Sequence, residues 1–275
     1  MNILIIQENG RHDLNRNYRE SFSLKRAFNF LEHNVDVWGL GHSNYNNNID
    51  FNNYDIILNL ENYGDHWLPD LSKINKPLKL LWSIDAHCRG EEPYEKIFQN
   101  GKYDYLLHST KDYVKNSYHK WFPNAYDDDL IKPLAIEKTI YFGFCGNYAN
   151  RKNILEWLQK YHNLHLDIFV IGDNMVKAIN TYKCHFNLNI ANDINYRSFE
   201  TIGCGTMLLT NYNPIYEELG FINQNNCLFY NNINDLTEKI NNLNQIDISK
   251  ISNNGLNLAL KHTYKQRVKN LLEIL

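Results

Sequence analysis

A charged pair stands at the start of a short helix predicted in the C-terminal half of the sequence. Arg197 and Glu200 are one helical turn apart, and the segment 203–205 (Gly-Cys-Gly) ends the helix before an apolar strand. A carboxylate at such a strand-to-helix edge is suited to accept hydrogen bonds from a ribose diol, and an arginine beside it is suited to hold phosphate. The pattern predicts a nucleotide site. The alternative for Glu200 is an N-terminal carboxylate that the helix dipole favours.

A second polar segment ends the predicted strand 139–146. Gly146 and Asn147 form a turn whose backbone N–H groups can bind an anion beside a helix start. Arg151 follows, and its guanidinium can clamp phosphate oxygens in a bidentate way. Lys152 is a weaker candidate. An ordinary solvated helix start is the alternative for both cations.

The N-terminal half has its own candidate groups for chemistry, Asp85 and His87, directly after an apolar strand. If the strand geometry continues past Ile84, these two side chains point to the same side, because residues two apart do so in a strand. One of them can then deprotonate an acceptor hydroxyl, since the pKa of histidine lies near neutral pH. Arg89 can hold an anionic acceptor or a phosphate. A buried Asp–His pair with a structural role is the alternative.

No metal site is expected. The acidic run 127–129 falls in a predicted linker, where a solvated acidic turn is the simpler interpretation. The five cysteines are scattered, without the paired spacing of a zinc site, and reduced thiols are expected.

Alternating apolar strands and amphipathic helices must position these side chains. The predicted strands cover residues 3–6, 35–38, 56–60, 78–84, 105–109, 134–135, 139–146, 166–171, 185–190, 206–210 and 227–230. This alternation predicts an α/β fold with parallel sheets covered on both faces. Ligands bind at the carboxyl ends of such strands, and polar segments, including 61–67, follow five of them. Two doubly wound domains are predicted, 1–136 and 137–258, with a last helix over 259–275.

Composition sets outer limits on function. A chain of 275 residues can form two domains, and a formal charge of −3 gives no overall attraction to nucleic acid or anionic membrane. The N-terminus opens directly into a strand, and no apolar run is long enough to span a bilayer. A cytoplasmic protein is expected.

Several of these segments resemble a known family. Residues 144–147 (Phe-Cys-Gly-Asn), followed by Arg151, are similar to the strand-end loop of group 1 glycosyltransferases. The motif Asn195-x-Arg197-x-Phe199-Glu200, the glycines after it and the ending 262–268 resemble the spore maturation protein B (CgeB-type) branch. The resemblance covers the C-terminal half well and the N-terminal half only in layout.

The resemblance implies a GT-B fold, in which two Rossmann-like domains face a cleft and the last helix crosses back to the first domain. It implies transfer of a hexose from a nucleotide sugar, by default UDP-linked, to an acceptor hydroxyl, without a metal or a cofactor. The implied donor site contains Gly146, Asn147, Arg151, Asn195, Arg197 and Glu200, with Arg197 and Arg151 on the diphosphate and Glu200 on the ribose. The first acidic residue of the family motif falls at Asn192, and whether Asp193 replaces it is open.

Two other functions fit the same residues. One is a nucleotide-sugar epimerase on this fold, and the other is a non-catalytic relative that binds nucleotide sugars or glycans. Retention or inversion of the anomeric centre is open. So is the acceptor, which could be a glycan, a small molecule, a protein or a phage-type modified DNA base.

Overall fold

The chain forms two parallel β-sheets, each in its own unit. The computed structural model describes residues 1–275 and divides them into unit 1, Met1–Asn124 with Tyr264–Leu275, and unit 2, Ala125–Thr263. All strand pairs within the two sheets are parallel. The predicted α/β fold class with two doubly wound sheets is confirmed. None of the helices combines the length and the apolar character needed to cross a membrane.

Unit 1 has a six-stranded sheet in the order β2-β1-β3-β4-β5-β6. Its strands are β1 Asn2–Ile6, β2 Asn34–Trp38, β3 Ile56–Leu60, β4 Leu78–Ser83, β5 Tyr105–His108 and β6 His119–Trp121. Its helices are α1 Glu20–Phe30, α2 Ala86–Arg89, α3 Glu92–Gly101 and, from the end of the chain, α10 Tyr264–Ile274. Short 3-10 turns cover Asp13–Tyr18, Phe51–Asn53 and Lys111–Tyr113.

The core of unit 1 follows from the apolar periodicity of the sequence. All five residues of β3 are buried, as expected for a strand covered on both faces. Helix α1 buries Leu24, Ala27 and Phe28, which lie on one face at spacings of three and four. Helix α10 packs on α1, with the Lys265 ammonium 4.9 Å from the centre of the Phe30 ring. The last helix is therefore part of unit 1.

Unit 2 has a five-stranded sheet in the order β11-β10-β9-β7-β8. Its strands are β7 Ile140–Gly146, β8 His165–Ile168, β9 Tyr182–Asn187, β10 Met207–Asn211 and β11 Leu228–Tyr230. Its helices are α4 Lys152–His162, α5 Asp173–Thr181, α6 Tyr196–Gly203, α7 Ile215–Glu218, α8 Ile233–Asn241 and α9 Ile248–Ala259. The 3-10 turns are Ala149–Arg151 and Leu243–Gln245.

Two details of the predicted organisation differ from the structure. The first division between the units falls after Asn124 rather than at residue 136. The intervening segment is held by unit 2, where the Leu134 N–H donates to Asn180 Oδ1 (2.8 Å) and Lys138 Nζ donates to Thr206 Oγ1 (2.6 Å). The predicted strand at 134–135 is wrong: these residues form no strand and belong to the connection that leads into β7. The sixth strand of unit 1 is β6, whose three residues are too few and too polar to stand out in the sequence.

Candidate active site

The charged pair predicted from the sequence lies at the start of α6. Arg197 Nη1 and Glu200 Oε2 are 2.7 Å apart, and the two side chains are only 20% and 15% exposed. Burial alone would lower the pKa of Arg197, but the Glu200 carboxylate beside it raises it above its ordinary value. The guanidinium therefore stays charged.

A buried histidine ties this helix to the end of β7. The Cys145 N–H donates to His185 Nε2 (3.0 Å), so the ring proton is on Nδ1, which donates to Thr201 Oγ1 (2.6 Å). Thr201 Oγ1 in turn donates to the carbonyl oxygen of Arg197 (2.6 Å). Burial lowers the pKa of His185 well below its ordinary value and keeps the ring neutral. Our sequence prediction missed His185, although a histidine inside an apolar strand was a visible signal.

An aromatic layer supports His185 from the sheet. The Tyr182 ring stacks on the His185 ring, with centroids 5.6 Å apart and planes at 18°. Tyr182 also covers Gly143, where an added Cβ would lie 2.6 Å from the tyrosine ring. The Tyr182 hydroxyl donates to the Asp167 carboxylate of β8. His185 is thus fixed by stacking as well as by hydrogen bonds.

The turn after β7 leads into a 3-10 turn, Ala149–Arg151, before α4 begins. Asn147 Oδ1 accepts from the Ala149 N–H (3.1 Å), and Ala149 has a positive φ of 33°. Arg151 Nε donates to the Leu188 carbonyl oxygen after β9 (2.8 Å). Lys152 forms an exposed pair with Glu156 at 3.7 Å, which matches the solvated helix start considered as its alternative.

A network of buried polar side chains holds the segment before α6. It contains Asn187, Asn189, Asn195, Ser198, Thr210, Asn211 and Tyr216. Asn195 Nδ2 donates to Asn187 Oδ1 (3.2 Å), and the Asn195 N–H donates to Asn189 Oδ1 (3.1 Å). Asn195 Oδ1 is buried and accepts from no protein donor.

Asn192 and Asp193 are the two residues considered for the first acidic position of the family motif. Asn192 lies exposed in a turn before α6, whereas Asp193 is buried. The carboxylate in this segment is therefore packed into unit 2, and the side chain in the family's first acidic position is a surface amide.

The acidic run before β7 forms the predicted turn, with Asp129 exposed and Asp128 partly exposed, but its first residue is not solvated. Asp127 is buried, and its Oδ1 accepts from the Asp129 N–H (3.1 Å). Its carbonyl oxygen accepts from the N–H groups of Leu130 and Ile131. Backbone hydrogen bonds thus turn the chain here and draw Asp127 inward. No group of three or more His, Cys, Asp and Glu side chains in the structure is arranged to hold a metal ion.

In unit 1, the expected geometry of Asp85 and His87 is wrong. Strand β4 ends at Ser83, and α2 begins at Ala86 with Asp85 at its N-terminal boundary. Residues two apart in a helix lie about 200° apart around the axis, so the two side chains do not share one side. Asp85 is exposed, which also excludes the buried Asp–His pair. His87 is partly buried, and its Nδ1 atom has no hydrogen-bond partner.

Glu61, at the end of β3, turns the chain into α2. Its Oε2 atom accepts from the N–H groups of Ile84 (2.8 Å) and Asp85 (2.6 Å). Its Oε1 atom lies 3.0 Å from Arg89 Nε, and the Glu61 side chain is 7% exposed. Burial raises the pKa of Glu61, and its hydrogen bonds with Tyr94 and the Asp85 backbone oppose that rise. Glu61 therefore fixes the start of α2, the short helix that contains His87, a role the sequence did not suggest.

Comparison with known families identifies the chain. Residues 128–273, about half of the sequence, match a family model described as glycosyl transferase-like. The chain belongs to this glycosyl transferase-like family. A search of curated protein sequences gives no match. The finer resemblance to the spore maturation protein B branch stays a prediction.

Solved structures share the GT-B fold of this glycosyltransferase over its full length. Sucrose-phosphate synthase from Thermosynechococcus elongatus is 11% identical over 99% of this chain and 98% of its own, with a TM-score of 0.65. T4 phage β-glucosyltransferase is 14% identical over 100% of this chain and 98% of its own, with a TM-score of 0.66. Anabaena Alr3699/HepE, in complex with UDP, is 10% identical over 100% of both chains, with a TM-score of 0.65. At these identities the likeness is one of fold.

Unit 2 of the glycosyltransferase contains the whole donor set that the sequence predicted. Gly146 ends β7, and Asn147 and Arg151 follow it; Asn195 precedes α6, and Arg197 and Glu200 lie within it. The two groups are joined by His185 and by the Arg151–Leu188 hydrogen bond. Asp85 and His87 belong to unit 1, at and within α2.

Proposed function

We propose that this glycosyltransferase moves a hexose from a UDP-linked sugar to an acceptor hydroxyl, without an essential metal ion. One observation carries the proposal: the Arg197–Glu200 ion pair stands at the start of α6 and is tied through Thr201 and His185 to the end of β7. A cation and a carboxylate are thus held together at a sheet edge of the kind where nucleotides bind. T4 phage β-glucosyltransferase in complex with UDP-glucose and Alr3699/HepE in complex with UDP support this choice of donor.

The donor-site roles follow from the chemistry of a nucleotide sugar. Glu200 accepts the two ribose hydroxyl hydrogens, while Arg197 and Arg151 bind the diphosphate. The backbone N–H groups of Gly146 and Asn147 add neutral donors, and Asn195, at the start of α6, completes the donor set. As the anomeric bond breaks, negative charge grows on the leaving diphosphate. Arginines fixed before the reaction stabilise that charge without reorganising.

The acceptor roles belong to unit 1. We assign the removal of the acceptor proton to His87 or Asp85 if the reaction inverts the anomeric centre. If it retains the configuration, the leaving phosphate takes the proton, and His87 contacts the sugar instead. His87 is only partly buried, so its ring can contact a substrate in either role.

Thermal shift and donor hydrolysis with a panel of nucleotide sugars test the donor site. We expect UDP-sugars to raise the melting temperature, because a ligand at about 100 times its Kd adds about 2.7 kcal/mol to the stability of the folded state. Glu200→Ala should remove most of that shift. Glu238→Ala, an exposed glutamate on α8, is the matched control and should keep it.

Three outcomes of this panel would contradict parts of the proposal. If no nucleotide stabilises the protein, the donor-site assignment is wrong. If His87→Ala has unchanged turnover, His87 is not the base. If EDTA abolishes turnover and Mn²⁺ restores it, the reaction is not metal-independent.

A non-catalytic nucleotide-sugar-binding protein is the second candidate. It is favoured by the exposed amide of Asn192 at the position where the family motif has its first acidic residue. Such a protein would show the thermal shift without hydrolysis or transfer. An epimerase on the same fold would instead convert the donor sugar with no acceptor present.

A further inference from the structure

A small cavity lies at the carboxyl end of β3, wholly within unit 1. Its volume is about 180 Å³. Its polar walls come from Asn59, Glu61, Asn62, Tyr63, Asp65, Arg89 and Tyr94. Pockets for drug-sized ligands measure roughly 300–1,000 Å³, so this one suits a single ring rather than a longer chain.

Three of the four arginines at this edge of the sheet are paired with carboxylates, and the fourth, Arg11, is exposed beside the Tyr63 ring. Each of three arginines has an acidic partner: Arg16 pairs with Asp13, Arg19 with Glu8 at 3.2 Å, and Arg89 with Glu61 at 3.0 Å. The exposed carboxylates of Asp65 and Asp85 add negative charge. Phosphates and nucleic-acid backbones are bound mainly by cationic side chains that have no acidic partner. Such a ligand would meet no net positive charge at this edge.

Two cavity groups of opposite hydrogen-bonding character face a ligand. The Asp65 carboxylate only accepts hydrogen bonds, and the Arg89 guanidinium only donates them. Arg89 uses Nε on Glu61 and Nη1 on the Asn62 carbonyl oxygen (3.2 Å), so further N–H groups remain, and its side chain is 39% exposed. A hydroxyl both donates and accepts and satisfies the two together. Phosphate would be repelled by Asp65, and an ammonium group by Arg89.

An exposed ring completes the cavity. Tyr63 is 58% exposed, and its N–H is held by Glu8 Oε2 (3.2 Å). The Arg11 guanidinium lies 4.4 Å from the centre of the ring. The Arg19 guanidinium lies 5.7 Å from the same centre. The exposed part of the tyrosine that these cations leave offers carbon edges and a hydroxyl, which suit the mixed surface of a sugar ring.

We propose that this cavity binds the acceptor and that the acceptor is an uncharged sugar ring, not DNA and not a phosphorylated compound. The inference rests on the proposed function insofar as transfer needs an acceptor. It assigns Asp65 and Tyr63 to acceptor binding. It also separates this chain from the DNA-modifying β-glucosyltransferase of similar fold.

Saturation-transfer NMR on the full chain tests the acceptor class. The probes are glucose, galactose, N-acetylglucosamine, glucose 6-phosphate and a duplex DNA oligonucleotide. We expect a signal from at least one uncharged sugar, reduced at least about fivefold in Asp65→Asn and in Tyr63→Ala. Tyr161→Ala, which removes a similarly exposed tyrosine from α4 of unit 2, is the control and should leave the signal unchanged.

The outcomes separate this inference from the proposed function. The inference is overturned if no uncharged sugar gives a signal, if the signal persists in both variants, or if glucose 6-phosphate or DNA binds in preference. The thermal shift with UDP-sugars is a separate measurement that we expect both variants to retain. If sugars bind as expected but no UDP-sugar stabilises the protein, the donor proposal fails while the cavity assignment stands.

Discussion

At the scale of residues, the side chains that join elements determine the site as much as those that would touch a ligand. His185 links the backbone of β7 to α6, and Glu61 links the end of β3 to α2. Neither was a candidate from the sequence. The groups on the elements they position, Arg197 and His87, were candidates, because charged and titratable residues at strand ends can be recognised from the sequence alone.

Replacing His185, a fully buried residue, with alanine should destabilise unit 2. In His185→Ala the buried Cys145 N–H loses its acceptor and Thr201 loses its donor, and a cavity forms under Tyr182. We expect a loss of about 2–4 kcal/mol in the free energy of unfolding and a higher KM for the donor. Urea unfolding measures the change in stability, and steady-state kinetics with the donor measure the change in KM. The exposed His12→Ala is the control, and equal stability of the two variants would refute the role of His185.

At the scale of elements, α6 is positioned by buried polar contacts in addition to apolar packing. Tyr216, on α7, is the centre of these contacts. Its hydroxyl accepts from Asn189 Nδ2 (2.6 Å) and lies 2.7 Å from Ser198 Oγ and 3.2 Å from Thr210 Oγ1. The contacts connect α6 and α7 to the ends of β9 and β10. The short α7 thereby holds the N-terminal half of α6 in place.

Tyr216→Phe tests this network with little change in volume. It removes the shortest hydrogen bond of the buried Asn189 amide (2.6 Å) and leaves that amide its longer bonds to Thr210 and Asn211, which costs about 1 kcal/mol. We expect a lower urea midpoint and a weaker UDP-sugar thermal shift. Tyr212→Phe removes an exposed hydroxyl bonded to Glu217 and should change stability by less than about 0.5 kcal/mol. Matching midpoints for the two variants would show that the network does not stabilise unit 2.

At the scale of the whole molecule, each unit has a buried histidine that resists protonation. In unit 1, burial and the neighbouring His119 lower the pKa of His108 to about 4, with Glu91 opposing and Lys115 adding to the effect. In unit 2, burial lowers the pKa of His185 well below its ordinary value. Unfolding restores an ordinary pKa near 6.5 to each ring. Between about pH 4 and 6.5 the unfolded chain therefore binds more protons than the folded one.

Stability should consequently fall as the pH drops below about 6.5. For His108 alone, the loss between pH 7.5 and 5.5 is about 1 kcal/mol. Urea unfolding at the two pH values measures it. His108→Phe should reduce the difference, because the phenylalanine ring cannot take up a proton, whereas the exposed His66→Phe should leave it unchanged. A difference that His108→Phe does not reduce would contradict the assignment.

The sequence by itself determined the fold class and which residues stand at strand ends. Apolar periodicity sets strands and helices locally, and the carboxyl ends of parallel strands share an edge, so Gly146, Arg151, Arg197 and Glu200 could be placed together in advance. Only the tertiary structure decided their partners. The turn at Asp85 and the link through His185 depend on hydrogen bonds between residues far apart in the chain. Such bonds leave no periodic trace, because each requires only one donor, one acceptor and the fold that brings them together.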